Sequence, residues 1–505
     1  MVSRRSALDR SQIQAGLVAL LGAELVGLDP GELRELSADR YRKYATVHGI
    51  YEPPLPAAVV RPDSAGQVAA VLRFASEHLV NVVPRTGGTG TEGGLETIVE
   101  DTIVIDGSGL DRILDVDLID MQVTAQCGVR LQQLEDQLRE QGFTTGHSPQ
   151  SKPLARLGGL VATRSIGQFS TLYGGIEDMV VGLEAVFPDG TITRIKNVPR
   201  RAAGPDIRHV VIGNEGALCF ITEVTLKIFP YYPENSRYFG FLIDDFGAAI
   251  NGLRQVVTAG YRPSVCRAYS QNDARQHFGD LAQGKSVAIL VAEGPAPLAE
   301  ATGAAIEETF APISAAKLDT GAVADWLNNL NWGQDKIDAE KETMLREHHL
   351  GYTTEVSIGW KSAAELYDAV TGRIRREFPR SEDLTLLGAH SSHSYQTGTN
   401  LYFVYDYDIA TEPQDEMREY HVPLNAIIVQ EALRLGGSMV HHHGIGKYRA
   451  PWTEEEHGSA YYLLRGLKEQ FDPGGIMNAG TIFPAEGFTD PYPEAGKAGR
   501  SGDAN

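Results

Sequence analysis

Cysteine is scarce in this chain. Its 505 residues include only Cys127, Cys219 and Cys266, and no two of them form a CxxC motif. A disulfide scaffold needs paired cysteines, and a thiolate metal site needs closely spaced ones. The count and the spacing therefore argue against both, and they predict three buried cysteines that act as small hydrophobic side chains.

The sequence also has no long apolar run, and it has fewer basic than acidic residues. No segment approaches the roughly 20 apolar residues that span a bilayer. The stretch from Gly16 to Leu28 is broken by Glu24, so it predicts a short amphipathic helix rather than a signal peptide. A formal net charge of −21 repels polyanions. We expect a cytoplasmic protein with no transmembrane segment and no nucleic-acid partner.

The length predicts at least two globular domains. Helical spacing, strand-like runs and Pro-rich breaks indicate an N-terminal helical arm over residues 1–54 and an α+β domain over 55–235. A second domain is predicted over 236–425, followed by a segment with a His-rich loop and a helix over 426–486. The polar, Gly-rich residues 487–505 predict a disordered tail. Oligomeric state is left open, with a homodimer as one option.

A glycine-rich loop follows the short apolar run Val80–Val83. It covers Pro84 to Gly94 and contains five glycines, which allow several backbone N–H groups to converge on a phosphate. The loop does not match GxxxxGK[ST], and it does not match the GxGxxG pattern that opens a Rossmann helix. By itself it indicates either a pyrophosphate site or a flexible turn.

Two further segments are rich in glycine and hydroxyl residues. The first extends from Gly146 to Gly167, and the second is Gly213–Leu218. Three such clusters in this order are hard to explain as unrelated turns.

The order and content of these segments resemble the FAD-binding domain of the vanillyl-alcohol oxidase and p-cresol methylhydroxylase superfamily, over roughly residues 50–230. Within it, the chain most resembles the alkyldihydroxyacetonephosphate synthase family, through the motifs Thr145–His147, Gly158–Arg164, Gly174–Asp178 and Gly204–Ile207. The resemblance implies an α+β fold. In such a fold, a two-subdomain FAD-binding domain of the p-cresol methylhydroxylase type is joined to an α+β substrate domain with a central antiparallel sheet.

The resemblance also implies which residues bind FAD. They are Pro84, Arg85, Thr86, Gly87, Gly88, Thr89, Gly90 and Thr91 at the pyrophosphate, and Pro149, Gln150, Ser151, Gly158, Gly159, Thr163, Ser165, Glu215, Gly216 and Ile221 around the rest of the cofactor. Some members of the superfamily attach FAD to a histidine in or near the first loop. Residues 84–94 contain none, so we expect noncovalent FAD.

Three consecutive histidines, His441, His442 and His443, precede Gly444 and can supply a base near neutral pH. A metal site is not expected, because adjacent residues on a strand point to opposite faces and no HExxH motif occurs. Histidines that only satisfy local hydrogen bonds remain an alternative. The same triplet followed by Gly-Ile-Gly-Lys resembles the synthase family, and the resemblance implies a catalytic Tyr402 and Arg267 as well.

One departure from that family concerns the substrate. The synthases have an arginine near the position of His390, and a neutral imidazole binds a phosphate or carboxylate less well than a guanidinium does. We therefore predict an FAD-dependent oxidoreductase that takes a hydride from a small hydroxylated or phenolic substrate to flavin N5, with oxygen or another electron acceptor reoxidising the flavin. Tyr402 and His442 are the candidate bases, Arg267 is the candidate anion anchor, and His390 completes the catalytic set.

Four alternatives stay open. A synthase-type transferase would exchange acyl for alkyl on acyl-dihydroxyacetone phosphate. A D-2-hydroxyacid dehydrogenase is disfavoured because Gly398-Thr399-Asn400 keeps only a trace of that group's metal motif. A flavin-holding protein without catalysis would show no bleaching by any substrate, and a zinc hydrolase would be colourless.

Overall fold

The computed structural model describes residues 6–484, so the predicted tail over 487–505 lies outside the described residues. The chain begins with helices α1 (Arg10–Leu21), α2 (Pro30–Leu36) and α3 (Lys43–Val47). A capping box starts α1, because the Asp9 side chain accepts from the Gln12 backbone while the Gln12 side chain accepts from the Asp9 backbone. The predicted arm is therefore not helical throughout. The helix predicted over Gly16–Leu28 ends at Leu21, because Val26–Gly27 form a short strand.

The first sheet has four strands, in the order β1-β2-β4-β3. They are β1 (Val26–Gly27), β2 (Ala58–Val60), β3 (Val82–Arg85) and β4 (Ile103–Asp106). Helix α4 (Ala65–His78) joins β2 to β3, and both of these strands run parallel to β4. Ser64 lies at the N-cap position of α4, but its side chain makes no capping hydrogen bond. The glycine-rich loop leaves the end of β3.

The second sheet has five antiparallel strands, in the order β5-β6-β10-β8-β9. They are β5 (Ile113–Asp117), β6 (Gln122–Gln126), β8 (Val180–Val186), β9 (Ile192–Ile195) and β10 (Phe220–Lys227), while β7 (Phe143–Thr144) pairs separately with β11 (Phe229–Pro230). The accompanying helices are α5 (Leu131–Arg139), α6 (Leu157–Ala162), α7 (Ser170–Tyr173), α8 (Ile176–Met179) and α9 (Arg208–Val211). One buried apolar cluster joins this sheet to the first.

The third sheet has seven antiparallel strands, in the order β15-β12-β14-β13-β17-β18-β16. They are β12 (Arg237–Ile243), β13 (Val265–Tyr269), β14 (Ser286–Ala292), β15 (Ala316–Lys317), β16 (His349–Gly359), β17 (Leu384–Ser391) and β18 (Gly398–Asp408). Its helices are α10 (Phe246–Thr258), α11 (Gln271–Phe278), α12 (Ala296–Phe310), α13 (Thr320–Asn328), α14 (Gln334–Glu347) and α15 (Ala363–Glu377). The α+β fold and the central antiparallel sheet of the substrate domain are confirmed.

The register of the third sheet decides which side chains share a face. Tyr269 pairs with His390, His390 with Tyr402, and Tyr402 with Glu355. Because side chains alternate along a strand, Arg267 and Thr353, two residues from Tyr269 and Glu355, lie on this same face. The opposite face packs apolar side chains against α10 and α15.

The C-terminal segment consists of α16 (Val422–Arg434), the His-rich loop, α17 (Thr453–His457) and α18 (Tyr461–Phe471). The helix predicted after the His-rich loop is in fact two helices, α17 and α18, because the chain breaks at Gly458, where φ is +50°. The chain then returns to the first sheet, where the Val82 N–H donates to the Ile476 carbonyl at 2.8 Å and the Asn478 N–H to the Val82 carbonyl at 2.8 Å. Within residues 6–484, no helix is long and apolar enough to cross a membrane.

Candidate active site

One cavity of about 660 Å³ extends between the glycine-rich segments and the polar face of the third sheet. Every residue predicted to bind the cofactor lines it, from Pro84 to Thr91, through Pro149–Ser151, to Glu215, Gly216 and Ile221. Tyr402, His442, His443, Arg267 and His390 line it as well. Of the predicted catalytic residues, only His441 does not.

The glycine-rich loop has unused donors. Among the described residues, no protein acceptor takes the backbone N–H groups of residues 87–91. A Cβ added at Gly87 would lie 2.8 Å from the Arg156 backbone nitrogen, so the loop packs too closely there for any larger residue. Free N–H groups on a loop without side-chain obstruction form an anion cradle, and this fits the pyrophosphate of FAD.

Two arginines supply positive charge beside this loop. Arg85 and Arg156 line the cavity, and within residues 6–484 neither forms an ion pair with a carboxylate. Both donate to carbonyl groups, Arg85 Nη1 to Leu36 O at 3.3 Å and Arg156 Nη1 to Ser108 O at 3.4 Å. Arg156 was not predicted. Its position just before Gly158-Gly159 is the one signal that pointed to it.

The His-rich loop is held by buried carboxylates. Glu355 accepts the backbone N–H groups of His441, His442 at 3.2 Å and His443 at 2.7 Å. Glu215 accepts those of Ile445 and Gly446, both at 2.7 Å. Glu215 lines the cavity and its carboxylate also holds this loop, so its role at the cofactor stays a prediction. Burial raises the pKa of Glu215 to about 7.

A third carboxylate, Glu92, anchors the far end of the same loop. It accepts from Arg449 Nε and Nη2, each at 3.0 Å. Burial alone would raise the pKa of Glu92, but Arg449 and His443 outweigh it and the pKa is lowered. Neither Glu92 nor Glu355 was predicted, because a carboxylate that binds backbone N–H groups distant in sequence leaves no local pattern.

The histidine triplet lies in an irregular bend, not in a strand. His442 and His443 line the cavity, whereas His441 does not line it and bonds through Nε2 to the Tyr395 hydroxyl at 2.8 Å. Burial lowers the pKa of His441 to about 3 and that of His442 well below its usual value. Both imidazoles are therefore neutral near pH 7, and burial disfavours the protonated form of each.

The bend also removes one premise of the metal argument. Adjacent histidines do not point to opposite faces here, because His441 Nδ1 lies 2.9 Å from His442 Nδ1. One ring nitrogen of each of His393, His441 and His442 lies within 4.8 Å of the other two. The absence of a metal stays a prediction that rests on the missing ligand motif alone.

Arg267 is a buried cation without a carboxylate partner among the described residues. Its side chain is 1% exposed. Nη1 donates to Gln168 Oε1 at 2.7 Å and Nη2 to His390 Nε2 at 2.7 Å, while Nε has no partner. A desolvated guanidinium that is paired only with neutral groups fits an anionic ligand.

His390 does not replace the missing arginine. Its Nδ1 bonds Asp273 at 2.6 Å, so this nitrogen carries the proton, and Nε2 is the acceptor for Arg267. Burial and the nearby Arg267 lower the pKa of His390 to about 4. With both nitrogens engaged, His390 orients Arg267 and stacks on the Tyr402 ring at 4.7 Å.

Tyr402 stands at the centre of this face. Its hydroxyl oxygen accepts from Thr353 Oγ1 at 3.0 Å, and within residues 6–484 no protein acceptor takes its own hydrogen. Burial raises the pKa of Tyr402 to about 12. The arm also supplies Arg40, Tyr41 and Lys43 to the cavity lining. No sequence signal linked the arm to the site.

Two family models match the chain. The FAD binding domain matches residues 56–196, and the C-terminal domain of FAD linked oxidases matches residues 232–482. The chain is 57% identical over 481 residues to the "Uncharacterized FAD-linked oxidoreductase YgcU" of Escherichia coli (strain K12), covering 95% of this chain and 99% of that protein. It is 28% identical over 459 residues to the alkyldihydroxyacetonephosphate synthase of Caenorhabditis elegans, covering 85% of this chain and 76% of that protein.

Solved structures share the fold. An alkyldihydroxyacetonephosphate synthase superposes with a TM-score of 0.77 at 22% identity, over 95% of this chain and 89% of that one. A p-cresol methylhydroxylase with substrate bound superposes with a TM-score of 0.73 at 14% identity, over 94% and 97%. These structures confirm the fold, while the two family models and the 57% identical relative confirm the predicted FAD-linked family and the cofactor, FAD.

Proposed function

Because the chain belongs to the family of FAD-linked oxidoreductases, we propose that it oxidises a small hydroxylated or phenolic substrate that carries an anionic group. Bound FAD supplies a two-electron acceptor to the cavity. The glycine-rich loop, Arg85 and Arg156 would hold its pyrophosphate. The reaction is proposed to take place under the face of the third sheet that carries Arg267, His390 and Tyr402.

Arg267 is the observation that carries this proposal. A buried guanidinium is costly without a negative partner. Among the described residues, Arg267 bonds Gln168 and the neutral His390 and lies over the rings of Tyr269 and Trp326, but it contacts no carboxylate. An anionic group of the substrate would supply the missing charge. Because Arg267 is only 1% exposed, a ligand can reach it only by entering the cavity.

Two groups on the same face can relay the hydroxyl proton of such a substrate. Tyr402 is itself protonated near pH 7, so it takes the substrate proton only as its own hydrogen passes to a neighbouring base. His442 is neutral near pH 7 and lines the cavity. Tyr402 has an uncommitted hydroxyl hydrogen. We propose Tyr402 as the group that contacts the reacting hydroxyl, with His442, whose ring lies 5.8 Å away, as the neighbouring base.

A synthase that exchanges acyl for alkyl is the second candidate, and it is supported by the 28% identity to a protein of that name. His390 counts against it. Both of its nitrogens are engaged, so it adds no positive charge for a phosphate. A 2-hydroxyacid remains within the proposed class, since it has both a hydroxyl and an anionic group.

Use of oxygen or of another acceptor, and a cytoplasmic location, also stay proposals.

Anaerobic mixing of the holoenzyme with a panel of alcohols, phenols, 2-hydroxy acids and acyl-dihydroxyacetone phosphate tests the proposal. We expect bleaching of the flavin by a hydroxylated anion, and a loss of that bleaching at low concentration in Arg267→Met. Bleaching by neutral alcohols alone, equal in Arg267→Met and wild type, would refute the anionic class. Fatty acid release from the acyl ester without net reduction would favour the synthase.

A further inference from the structure

A chain of hydroxyl groups connects the N-terminal arm to Tyr402. Tyr41, which lines the cavity from the arm, places its hydroxyl 2.6 Å from Thr353 Oγ1. Thr353, on β16, lies 3.0 Å from the Tyr402 hydroxyl on β18. The three oxygens come from parts of the chain that are more than 300 residues apart at their widest separation.

The direction of the hydrogen bonds follows from the geometry. Thr353 donates to the Tyr402 oxygen, and a threonine hydroxyl has only one hydrogen. Tyr41 must therefore be the donor to Thr353. Burial raises the pKa of Tyr41 well above its usual value, so Tyr41 keeps its proton and remains a donor. The Tyr402 oxygen thus accepts one hydrogen bond from this series of hydroxyl groups, and the hydrogen of the Tyr402 hydroxyl is directed at the cavity.

The arm holds Tyr41 firmly in this place. The Asp39 carboxylate accepts from the Tyr41 backbone N–H at 3.0 Å and from the Gly93 N–H of the glycine-rich loop at 2.9 Å. Tyr352 donates to the Tyr41 carbonyl. The Tyr41 ring packs edge-on against Tyr352, with 4.7 Å between centroids. Tyr41 is only 6% exposed, so few other orientations are open to it.

We propose that Tyr41 and Thr353 are positioning residues for Tyr402: their donor chain orients its hydroxyl toward the substrate and stabilises its oxygen when the proton has left. A hydrogen bond donated to a charged oxygen favours the charged form. The proposal rests on the proposed function only in giving Tyr402 a role in proton transfer. It assigns the N-terminal arm a part in the chemistry, through a residue that does not itself touch the reacting atoms.

Other groups also act on the ionisation of Tyr402. Burial raises its pKa, Thr353 and Arg267 lower it, and Glu355 and Glu92 raise it. Three imidazole rings, those of His390, His442 and His443, pack against the phenol at 4.7, 5.8 and 5.3 Å. The test must therefore change the donor chain while leaving these groups in place.

The test replaces Tyr402 by 3-nitrotyrosine through nonsense suppression, because this phenol ionises near neutral pH and its anion absorbs visible light. Its pKa is measured by pH titration in the FAD-loaded protein. We expect Thr353→Val to raise this pKa by about one unit, the scale of one hydrogen bond to a charged oxygen. Tyr41→Phe should raise it by less, and should add nothing in the Thr353→Val background.

Thr354→Val is the matched control. Thr354 is the next residue on β16, and its hydroxyl bonds Tyr405 at 2.9 Å on the opposite face of the sheet. This variant removes a buried threonine–tyrosine hydrogen bond without touching Tyr402. Thr353→Ser, which keeps the hydroxyl, should restore the wild-type pKa, and it also separates the lost donor from a packing effect.

An unchanged pKa in Thr353→Val, or a shift equal to that of Thr354→Val, would overturn the proposal. So would failure of Thr353→Ser to restore the pKa, or a full additional shift from Tyr41→Phe in the Thr353→Val protein. None of these titrations requires turnover. A wrong substrate class would therefore leave them unaffected, and the two proposals fail separately.

Discussion

Replacing Glu355 by glutamine should loosen the His-rich loop. The carboxylate accepts three backbone N–H groups, with His441 on Oε2 and His442 and His443 on Oε1. Glutamine has one oxygen and one NH₂ group, so at least one N–H then faces another donor. Arg449 Nη1, 3.6 Å from Oε1, loses a buried negative neighbour at the same time.

The magnitude follows from the burial of both partners, since Glu355 and Arg449 are fully buried. Removing one member of a buried charged set costs about 3 kcal/mol or more. A local opening that becomes easier by this amount exchanges its amide hydrogens on the order of 100-fold faster. The assay is hydrogen exchange with mass spectrometry on peptides covering residues 438–449, in the FAD-loaded protein.

Glu223→Gln serves as the control. Glu223 pairs with Arg194, which is 53% exposed, and such surface pairs contribute little. We expect exchange over 438–449 to match wild type in this variant. If Glu355→Gln exchanges no faster there than Glu223→Gln, the carboxylate does not hold the loop and the explanation of its shape is wrong.

Four further outcomes are expected. Tyr402→Phe should keep the wild-type flavin content and lower the rate of flavin reduction about 10²-fold or more, and an unchanged rate would remove Tyr402 from the reaction. Gly87→Ala should weaken FAD binding about tenfold or more in an apoprotein titration, because its Cβ meets the Arg156 backbone at 2.8 Å, whereas Gly66→Ala, with open space around it, should bind normally. Acid precipitation should release the flavin into the supernatant, and a yellow pellet would contradict noncovalent FAD. The folded pKa of His390, about 4, lies below the unfolded value near 6.5. Neutral His390 thus makes its full contribution to the free energy of unfolding above pH 6.5. This contribution is lost as pH falls toward 4, by at most about 1.4 kcal/mol per pH unit. His390→Gln should flatten the dependence of Tm on pH in this window, and parallel curves for variant and wild type would contradict the assignment.

The sequence and the family resemblance together indicated the segments that line the cofactor side of the cavity, although the binding of FAD by these residues stays a prediction. Backbone cradles need glycine at particular positions, and they are built from contiguous segments, such as Pro84–Thr91 and Pro149–Ser151, whose residue types are visible in the order of the chain. The strand before the loop and helix α4 were predictable for the same reason, since their periodicity is local. The three strands that carry Arg267, His390 and Tyr402 had weaker patterns in the sequence. The functional roles of these three side chains were predicted from the family resemblance alone.

Tertiary structure decided what those side chains do. Whether His390 acts as a second cation or as a support for Arg267 depends on Asp273, which is 117 residues away in the chain. The orientation of His441, His442 and His443 depends on Glu355, and the environment of Tyr402 depends on Thr353 and Tyr41. Hydrogen bonds between distant residues are set by strand register and by buried charge, and neither leaves a local pattern. The sequence therefore determined that this protein binds FAD and which segments line the cavity, while the fold alone determined which of its polar groups remain available to a ligand.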